Sequence, residues 1–114
     1  MKQDRQHLYE GMYVISATLS DDARHKALDR IQVGIKNHKG IIKKVHEQGR
    51  RRLAYEIDGH REGYYNIIYF EAPSLSIAEL LQEYHLNEDL IRFIILRTDE
   101  VKEKIEFKPL VEQV

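Results

Sequence analysis

The sequence contains no cysteine and no tryptophan, and it has only two prolines among its 114 residues. Without cysteine there can be no disulfide bond and no thiolate metal site, so nothing in the chain requires an oxidising compartment. No apolar run approaches the ~20 residues that a membrane-spanning helix needs, and the polar N-terminus lacks the apolar core of a signal peptide. We therefore predict a cytoplasmic protein with no membrane partner.

Length and composition indicate a single folded domain. A chain of 114 residues, 42% hydrophobic and 32% charged, is large enough to bury about two-thirds of its unfolded surface around one core. The hydrophobic periodicity ends near residue 98, and charges of both signs alternate beyond it. We predict one domain over residues 1–98, followed by a flexible C-terminal tail over residues 99–114, whose few apolar side chains are able to order on a partner.

Charge is distributed unevenly along the chain. The net charge is only −1, yet the stretch from residue 36 to residue 52 carries seven Lys or Arg side chains against the single carboxylate of Glu47. That stretch therefore has a charge of +6, and the rest of the chain has a charge of −7. A protein polarised in this way can turn one face to a polyanion such as nucleic acid and the other to a basic protein.

Hydrophobic periodicity predicts four strands and two helices. Ser20 is a good N-cap for the first helix, and Gly40 suits a left-handed residue that ends it. Pro73 followed by Ser74 or Ser76 predicts the start of the second helix. In order, the predicted elements are a strand over residues 7–17, a helix, a strand over residues 41–57 with a kink at Gly49, a loop containing Asp58, Gly59 and Gly63, a strand over residues 64–71, a second helix and a strand over residues 90–98.

The order strand, helix, strand, strand, helix, strand predicts an α+β fold of the split β-α-β, ferredoxin-like type. Right-handed crossovers place both helices on one face of a four-stranded antiparallel sheet and leave the other face without a helix. The first strand and the strand over residues 64–71 are apolar on both sides, so the face without helices should expose apolar side chains. A bare apolar face of this kind usually binds a partner.

No constellation of residues predicts a catalytic or metal site. The six histidines show neither the i, i+4 spacing of a helical zinc site nor a nearby cysteine. The serines lie in no nucleophile-elbow context, and no glycine pattern precedes a helix as a phosphate loop requires. An acylphosphatase-like enzyme would need glycines and an arginine after the first strand, where the sequence has Ala17, Thr18 and Leu19. We predict no enzyme activity, no cofactor and no small-molecule substrate.

One RNA-binding motif is nearly present. Residues 62–69 align with the RNP1 pattern of the RNA recognition motif, which begins with a cation and carries a stacking aromatic ring at its centre. Glu62 takes the place of the cation, and Asn66 takes that of the central ring. Base stacking on the sheet thus loses its main platform, and we do not expect a standard RNA recognition motif.

The most distinctive local feature is a run of three arginines from Arg50 to Arg52. It stands directly before an alternating strand pattern in which Leu53, Tyr55 and Ile57 point to one side. Adjacent like charges repel one another, so the run is better explained by an external anion than by the stability of the fold. Guanidinium groups bind phosphate oxygens without reading bases, which makes RNA phosphate the leading candidate. The alternative is an ordinary solvated edge.

The segment from Gly49 to Ile57 also resembles a family signature, a glycine followed by basic and polar residues and then Leu-Ala-Tyr-x-Ile. In this segment the chain is similar to the sixth protein of the bacterial small ribosomal subunit. The resemblance covers residues 8–98, with a departure at Asp58, where that family usually has a basic or small polar residue. Further agreement lies in register at Tyr9 and Glu10, at Glu71, Ala72 and Pro73, and over residues 87–95.

The resemblance implies a structural constituent of the small (30S) ribosomal subunit. It implies binding to the central domain of 16S ribosomal RNA together with the eighteenth small-subunit protein during assembly, and it implies no catalysis. The open sheet face or an edge strand is expected to contact the partner protein, and the division of the arginines between RNA and protein stays open. The residues expected to contact RNA or the partner are Tyr9, Arg50, Arg51, Arg52, Tyr55, Arg92 and Arg97.

Overall fold

Six elements follow one another in the predicted order in the computed structural model, which describes residues 5–105 of the chain. The boundaries agree with the predicted ones to within a few residues. The elements are β1 (Gln6–Ser16), α1 (Asp21–Asn37), β2 (Ile41–Ile57), β3 (His60–Pro73), α2 (Ser74–His85) and β4 (Leu90–Arg97).

The four strands form one antiparallel sheet in the order β2-β3-β1-β4. Tyr9 of β1 lies opposite Phe70 of β3 on one side and opposite Arg97 of β4 on the other. β1 and β3 therefore occupy the centre of the sheet, and both carry long runs of buried residues. β2 and β4 are the two edge strands. This arrangement confirms the predicted ferredoxin-like α+β fold.

Both helices pack on the same face of the sheet, as predicted. Tyr13 of β1 is fully buried, and its hydroxyl forms a 2.9 Å hydrogen bond with the hydroxyl of Tyr84 of α2. Burial raises the pKa of both tyrosines, that of Tyr84 to about 12. The two hydroxyls satisfy each other inside an apolar core and so tie α2 to a central strand. The helices contribute Ala27, Leu28, Ile31, Ile35, Leu80 and Tyr84 to this core.

The ends of α1 are set by local sequence. Ser20 caps the N-terminus as predicted, because its side-chain oxygen accepts a hydrogen bond from the Ala23 N–H at 3.2 Å. At the other end the left-handed residue is Lys39, with a φ of 69°, and not Gly40 as predicted. Glycine is needed at position 40 for a different reason, since a Cβ atom there would lie 2.6 Å from the carbonyl oxygen of Ile35.

The start of α2 lies where the sequence predicts it, since the helix begins at Ser74, directly after Pro73. Pro73 occupies the N-cap position and forms no side-chain cap hydrogen bond. Ser76 is buried within the helix instead of capping it. Proline suits this place because its fixed φ matches the extended N-cap conformation and it has no N–H group that needs an acceptor.

β2 runs as one long strand with an irregularity at Gly49. Its pairing with β3 shifts by one residue between Glu47 and Gly49, and Gly49 has a φ of 84°, which confirms the predicted bulge. β2 and β3 are joined by Asp58 and Gly59, with φ values of 48° and 82°, as in a two-residue hairpin turn of type I′. Aspartate tolerates the left-handed conformation better than most residues do, which accounts for Asp58 at this position.

The predicted loop that includes Gly63 is wrong. β3 already begins at His60, and Gly63 pairs with Ser16 of β1 and with Arg51 of β2. A Cβ atom at Gly63 would collide with the Cγ1 atom of Val14, which is fully buried. The glycine therefore permits close packing inside the sheet rather than forming a turn.

The chain continues past β4 as residues 98–105, here called the C-terminal strap, without helix or strand. Its first residue, Thr98, donates its N–H to the carbonyl oxygen of Leu8 at 3.0 Å. Residues 106–114 lie outside the described part of the chain. The flexible tail that the sequence predicts over residues 99–114 therefore stays a prediction.

The C-terminal strap covers part of the sheet face that carries no helix. His46 Nε2 of β2 lies 2.7 Å from the carbonyl oxygen of Lys102, and Lys44 Nζ donates to Glu103 Oε1 at 2.9 Å. Tyr69 of β3 lies beside the His46 ring on the same face, with 6.0 Å between the ring centroids. The face is thus less bare than the sequence predicts, because the chain itself shields the first half of β2.

Replacing Gly63 with Ala should lower the free energy of unfolding by about 1–3 kcal/mol, because Val14 must move to admit the new methyl group. We expect a smaller cost in the background of Val14→Ala, where the colliding atom has been removed. The measurement is urea denaturation of the wild type, both single variants and the double variant. Equal costs in the two backgrounds would show that close packing against Val14 is not the reason for this glycine.

Candidate functional site

The three arginines lie on the outer edge of the sheet, in the part of β2 that follows the bulge. Arg50, Arg51 and Arg52 are all exposed. Arg50 lies opposite Tyr64, which packs against the helix-covered core, and Arg52 lies opposite Glu62. Alternation therefore directs Arg50 and Arg52 to the helix side of the sheet and Arg51 to the open face. The run presents guanidinium groups on both sides of one projecting hairpin.

Carboxylates of the same hairpin neutralise part of its charge. Arg50 Nε donates to Glu62 Oε1, and this hydrogen bond raises the pKa of Arg50. Arg61 Nε donates to Glu56 Oε2 at 2.9 Å. Arg52 makes no ion pair within residues 5–105. Because these guanidinium groups are exposed, the pairs contribute little stability and can open when an anion binds.

The hairpin is anchored to the sheet by an apolar cluster on the open face. Leu53 is only 6% exposed and packs with Val14 and Tyr65, and burial raises the pKa of Tyr65. Tyr55, two residues further along, is 57% exposed. Ile57, nearer the tip, packs against the same cluster, so the predicted common side holds for Leu53 and Ile57, whereas Tyr55 between them is exposed.

Arg92 lies on β4 at the same end of the sheet. It pairs with Val14 of β1, and its charge acts on Tyr65 of β3, one strand beyond, by opposing the rise in the pKa of Tyr65 that burial causes. One row of paired residues crosses the open face from edge to edge, with one residue from each strand: Arg92, Val14, Tyr65 and Gly49. With a strand spacing of about 4.8 Å, Arg92 is roughly 14 Å from the backbone of the β2 edge. A polyanion lying across this face can reach both edges.

Arg97 and Tyr9 lie at the opposite end of the sheet, where they pair with each other. Arg97 is exposed, and its position five residues further along β4 places it roughly 17 Å from Arg92. Tyr9 is 7% exposed and packs against Phe70, with 5.7 Å between the ring centroids. The structure thus brings five of the seven predicted contact residues to one end of the sheet and places two at the other, and Tyr9 offers little surface.

Comparison with known proteins gives the family of the chain. The family model described as "Ribosomal protein S6" matches residues 8–97. The chain belongs to the ribosomal protein S6 family.

Individual relatives of this S6-family chain match it over almost its whole length. A protein from Protochlamydia amoebophila (strain UWE25), named small ribosomal subunit protein bS6, is 80% identical over 113 residues, which cover 99% of each chain. A protein of the same name from Chlamydia abortus is 57% identical over 112 residues, which cover 98% of this chain and all of that one. The crystal structure of 30S ribosomal protein S6 from Thermotoga maritima is 32% identical, with a TM-score of 0.79, and the match covers 82% of this chain and 89% of that one.

The S6-family chain is accordingly a ribosomal protein of the small subunit and not an enzyme. The predicted family is confirmed. Within residues 5–105 no group of three or more His, Asp or Glu side chains is arranged to hold a metal ion. No helix in that part of the chain is long and apolar enough to cross a membrane.

The structure of the S6-family chain adds two cations that sequence reasoning did not single out. Arg61 follows the hairpin turn and lines a shallow cleft with Arg52 and Tyr55. Arg24 of α1 lies with its guanidinium carbon 4.4 Å from the centre of the Tyr64 ring, on the helix side of the hairpin. A sequence signal exists for Arg61, because the Asp-Gly turn places it across the hairpin from the arginine run. No sequence signal exists for Arg24, because its contact with Tyr64 depends on how α1 packs on the sheet.

Two lysines continue the basic edge towards the start of β2. Lys43 Nζ lies 3.6 Å from Glu71 Oε1, and Lys44 forms the ion pair with Glu103 of the C-terminal strap. The hydrogen bond from Lys44 lowers the pKa of Glu103. Both lysines are therefore engaged with carboxylates of the S6-family chain itself, whereas Arg52 is not.

Replacing Leu53 with Ala should lower the free energy of unfolding by about 2–4 kcal/mol, because the buried side chain holds the hairpin against the sheet. Replacing Tyr55 with Ala serves as the matched control and should change stability by less than about 0.5 kcal/mol, since Tyr55 is mostly exposed. Chemical denaturation measures both values. Amide hydrogen exchange of Leu53→Ala should show the earliest loss of protection within residues 50–62, and uniform loss over the whole sheet would contradict the anchoring role.

Proposed function

We propose that this S6-family protein binds the central domain of 16S ribosomal RNA together with the eighteenth small-subunit protein while the subunit assembles in the cytoplasm. The arginine run of β2 and Arg92 contact RNA phosphates, and Arg97 provides a further cation at the far end of β4. One observation carries the proposal. Three consecutive exposed guanidinium groups project from an edge strand, and Arg52 among them makes no ion pair within the described residues.

The proposed RNA contacts are made to phosphates and not to stacked bases. In an RNA recognition motif the stacking rings lie on the sheet face without helices. Here Tyr64 packs against the core beneath the helices, and Asn66 is buried opposite Tyr13, which lies in the same core. The two positions that would stack bases therefore point away from the open face. This geometry favours electrostatic contact without a base code.

The partner protein is proposed to dock on the β4 side of the open face. Leu96 is 58% exposed and pairs with Glu10, while Ile94 and Met12 beside it are half-buried. The C-terminal strap shields the β2 side and leaves this apolar area accessible. The charge of −7 outside the basic stretch suits a basic partner, which explains how an RNA-bound protein can carry a net charge of −1.

Salt dependence tests the RNA contact. The affinity of the protein with its partner for a central-domain RNA fragment is measured between about 50 and 200 mM salt. If about four phosphates are neutralised, each adding roughly 0.7 to the slope of log affinity against log salt, the affinity should fall about fiftyfold. Replacing Arg50, Arg51 and Arg52 with Ala should reduce the fall to about threefold, because three of those contacts are lost.

The matched control removes the same charge from the outer surface of α1 by replacing Lys26, Arg30 and Lys36 with Ala. This variant should keep the fiftyfold dependence. Both triple variants should melt within a few degrees of the wild type, since exposed charges contribute little to stability. Equal salt slopes in the two variants would exclude the arginine run from the RNA contact, and a large loss of stability in the arginine variant would assign the run to the fold.

Replacing Leu96 with Glu should weaken the complex with the eighteenth small-subunit protein at least tenfold, because a carboxylate would be buried unpaired in an apolar contact. Leu75→Glu is the matched control, since Leu75 is 76% exposed on α2 at the other side of the sheet. Isothermal titration calorimetry with the purified partner measures both affinities. A loss confined to Leu75→Glu would move the proposed docking surface to the helices.

A further inference from the structure

A cluster of titratable side chains joins the two helices, outside the surface proposed for RNA. His38 is the C-cap residue of α1, and Glu79 and Glu83 lie one turn apart on α2. His38 Nδ1 lies 3.1 Å from Glu79 Oε1, and His38 Nε2 is hydrogen-bonded to Glu83 Oε2. The imidazole side chain is 21% exposed. These three residues are here called the His38 clamp.

The two carboxylates approach opposite nitrogen atoms of one imidazole ring. A neutral imidazole has one N–H donor and one lone pair, so it satisfies one carboxylate and turns its lone pair towards the other. An imidazolium donates from both nitrogens and places its positive charge between two negative charges. The geometry therefore selects the protonated ring. It also excludes a metal ion shared by all three residues, because one ion cannot lie on both sides of the ring.

Most of the groups around His38 raise its pKa. The hydrogen bond to Glu83 is the main cause that raises the pKa of His38, Glu79 adds to it, and partial burial opposes both. The last carbonyl groups of α1 also favour a cation at this position. Lys36 and Lys39, the charges nearest in the α1 sequence, are exposed to solvent, which screens their repulsion. The start of β2 adds no charged side chain before residue 43.

The helices are not closely packed next to the His38 clamp. Gly34 lies one turn before His38 on α1, and a Cβ atom there would come within 3.3 Å of Glu83 Oε1, so glycine leaves room for the carboxylate. A cleft of about 150 Å³ beside it is lined by Arg30, Ile31, Gly34 and Glu83 among others, and Arg30 is the further cation on the side of Glu83. The His38 clamp thus bridges a gap that apolar packing does not close.

We propose that His38 acts as a proton-dependent clamp, which holds α2 against the end of α1 when the ring is protonated and releases that contact when the ring loses its proton. The device is independent of the proposed RNA contact, because none of its groups belongs to the arginine run. Its effect is local: α2 remains tied to β1 by the buried hydrogen bond between Tyr13 and Tyr84.

The sign of the pH dependence follows from the direction of the shift. Folding raises the pKa of His38 above the ordinary value of 6.5, so the stabilisation is fully present below pH 6.5 and is lost as the pH rises through the folded value. The folding equilibrium constant should then decrease relative to that of a variant without the imidazole. The decrease is tenfold for each unit by which the folded pKa exceeds the unfolded one.

The test is urea denaturation of the full-length protein at several pH values from about 5.5 to about 9. At the acidic end the free energy of unfolding should be larger for the wild type than for His38→Gln, and larger than for the double variant Glu79→Gln with Glu83→Gln. Both differences should shrink as the pH rises. His25→Gln is the matched control, because His25 is an exposed histidine of the same helix without an ion pair in the described residues. Its pH profile should parallel that of the wild type.

Nitrogen NMR of the ring gives a second readout that does not depend on unfolding. The pH at which the His38 ring loses its proton should be higher in the wild type than in the double glutamine variant, because the two carboxylates favour the imidazolium. Loss of the ring proton at the same pH in both proteins would overturn the proposal, as would a stability profile of His38→Gln that runs parallel to the wild-type profile.

Discussion

The antiparallel pairing of β2 with β3 is the constraint on which the proposed interface depends. β2 is an edge strand, so one of its sides faces solvent and its side chains can meet a large partner. The bulge at Gly49 shifts the register just before the arginine run and so sets which guanidinium groups face which side of the sheet. Leu53, buried against Val14 and Tyr65, then keeps the projecting half of the hairpin in a fixed position. The proposed phosphate contacts would gain from this order, because fixed cations lose less conformational entropy on binding.

The helices and the C-terminal strap divide the rest of the surface between burial and exposure. Both helices lie on one face, and their core is joined to the sheet through the paired hydroxyls of Tyr13 and Tyr84. The strap lies over the β2 side of the other face, where Lys44 and His46 contact it. At the opposite edge of that face, Leu96 of β4 is exposed. Charge is also divided, since most of the basic stretch lies along the β2 edge and carboxylates outnumber cations in the rest of the chain.

The sequence predicts the fold well because periodicity and end signals are local. Ser20 caps α1 through a residue three positions away, and the bulge at Gly49 is visible as a glycine inside a strand pattern. The sequence places Gly63 wrongly in a loop, because the need for glycine there comes from the nearby Val14, which belongs to another strand. Alternation places Tyr55 on the same side as Leu53, but it does not reveal that Tyr55 stays exposed while Leu53 is buried. The contact of Lys44 with Glu103, 59 residues apart, has no local signal. The arginine run is visible in the sequence because three adjacent like charges repel one another, which an external anion explains better than the stability of the fold does.

RNA contact through the β2 hairpin is tested most directly by crosslinking inside the assembled particle. Small subunits reconstituted with this protein are irradiated with ultraviolet light, and the crosslinked peptides are identified by mass spectrometry. We predict crosslinks from RNA to the segment from Arg50 to Tyr55, on the projecting edge of the sheet. Crosslinks confined to the outer surfaces of α1 and α2, with none on that segment, would contradict the proposed function.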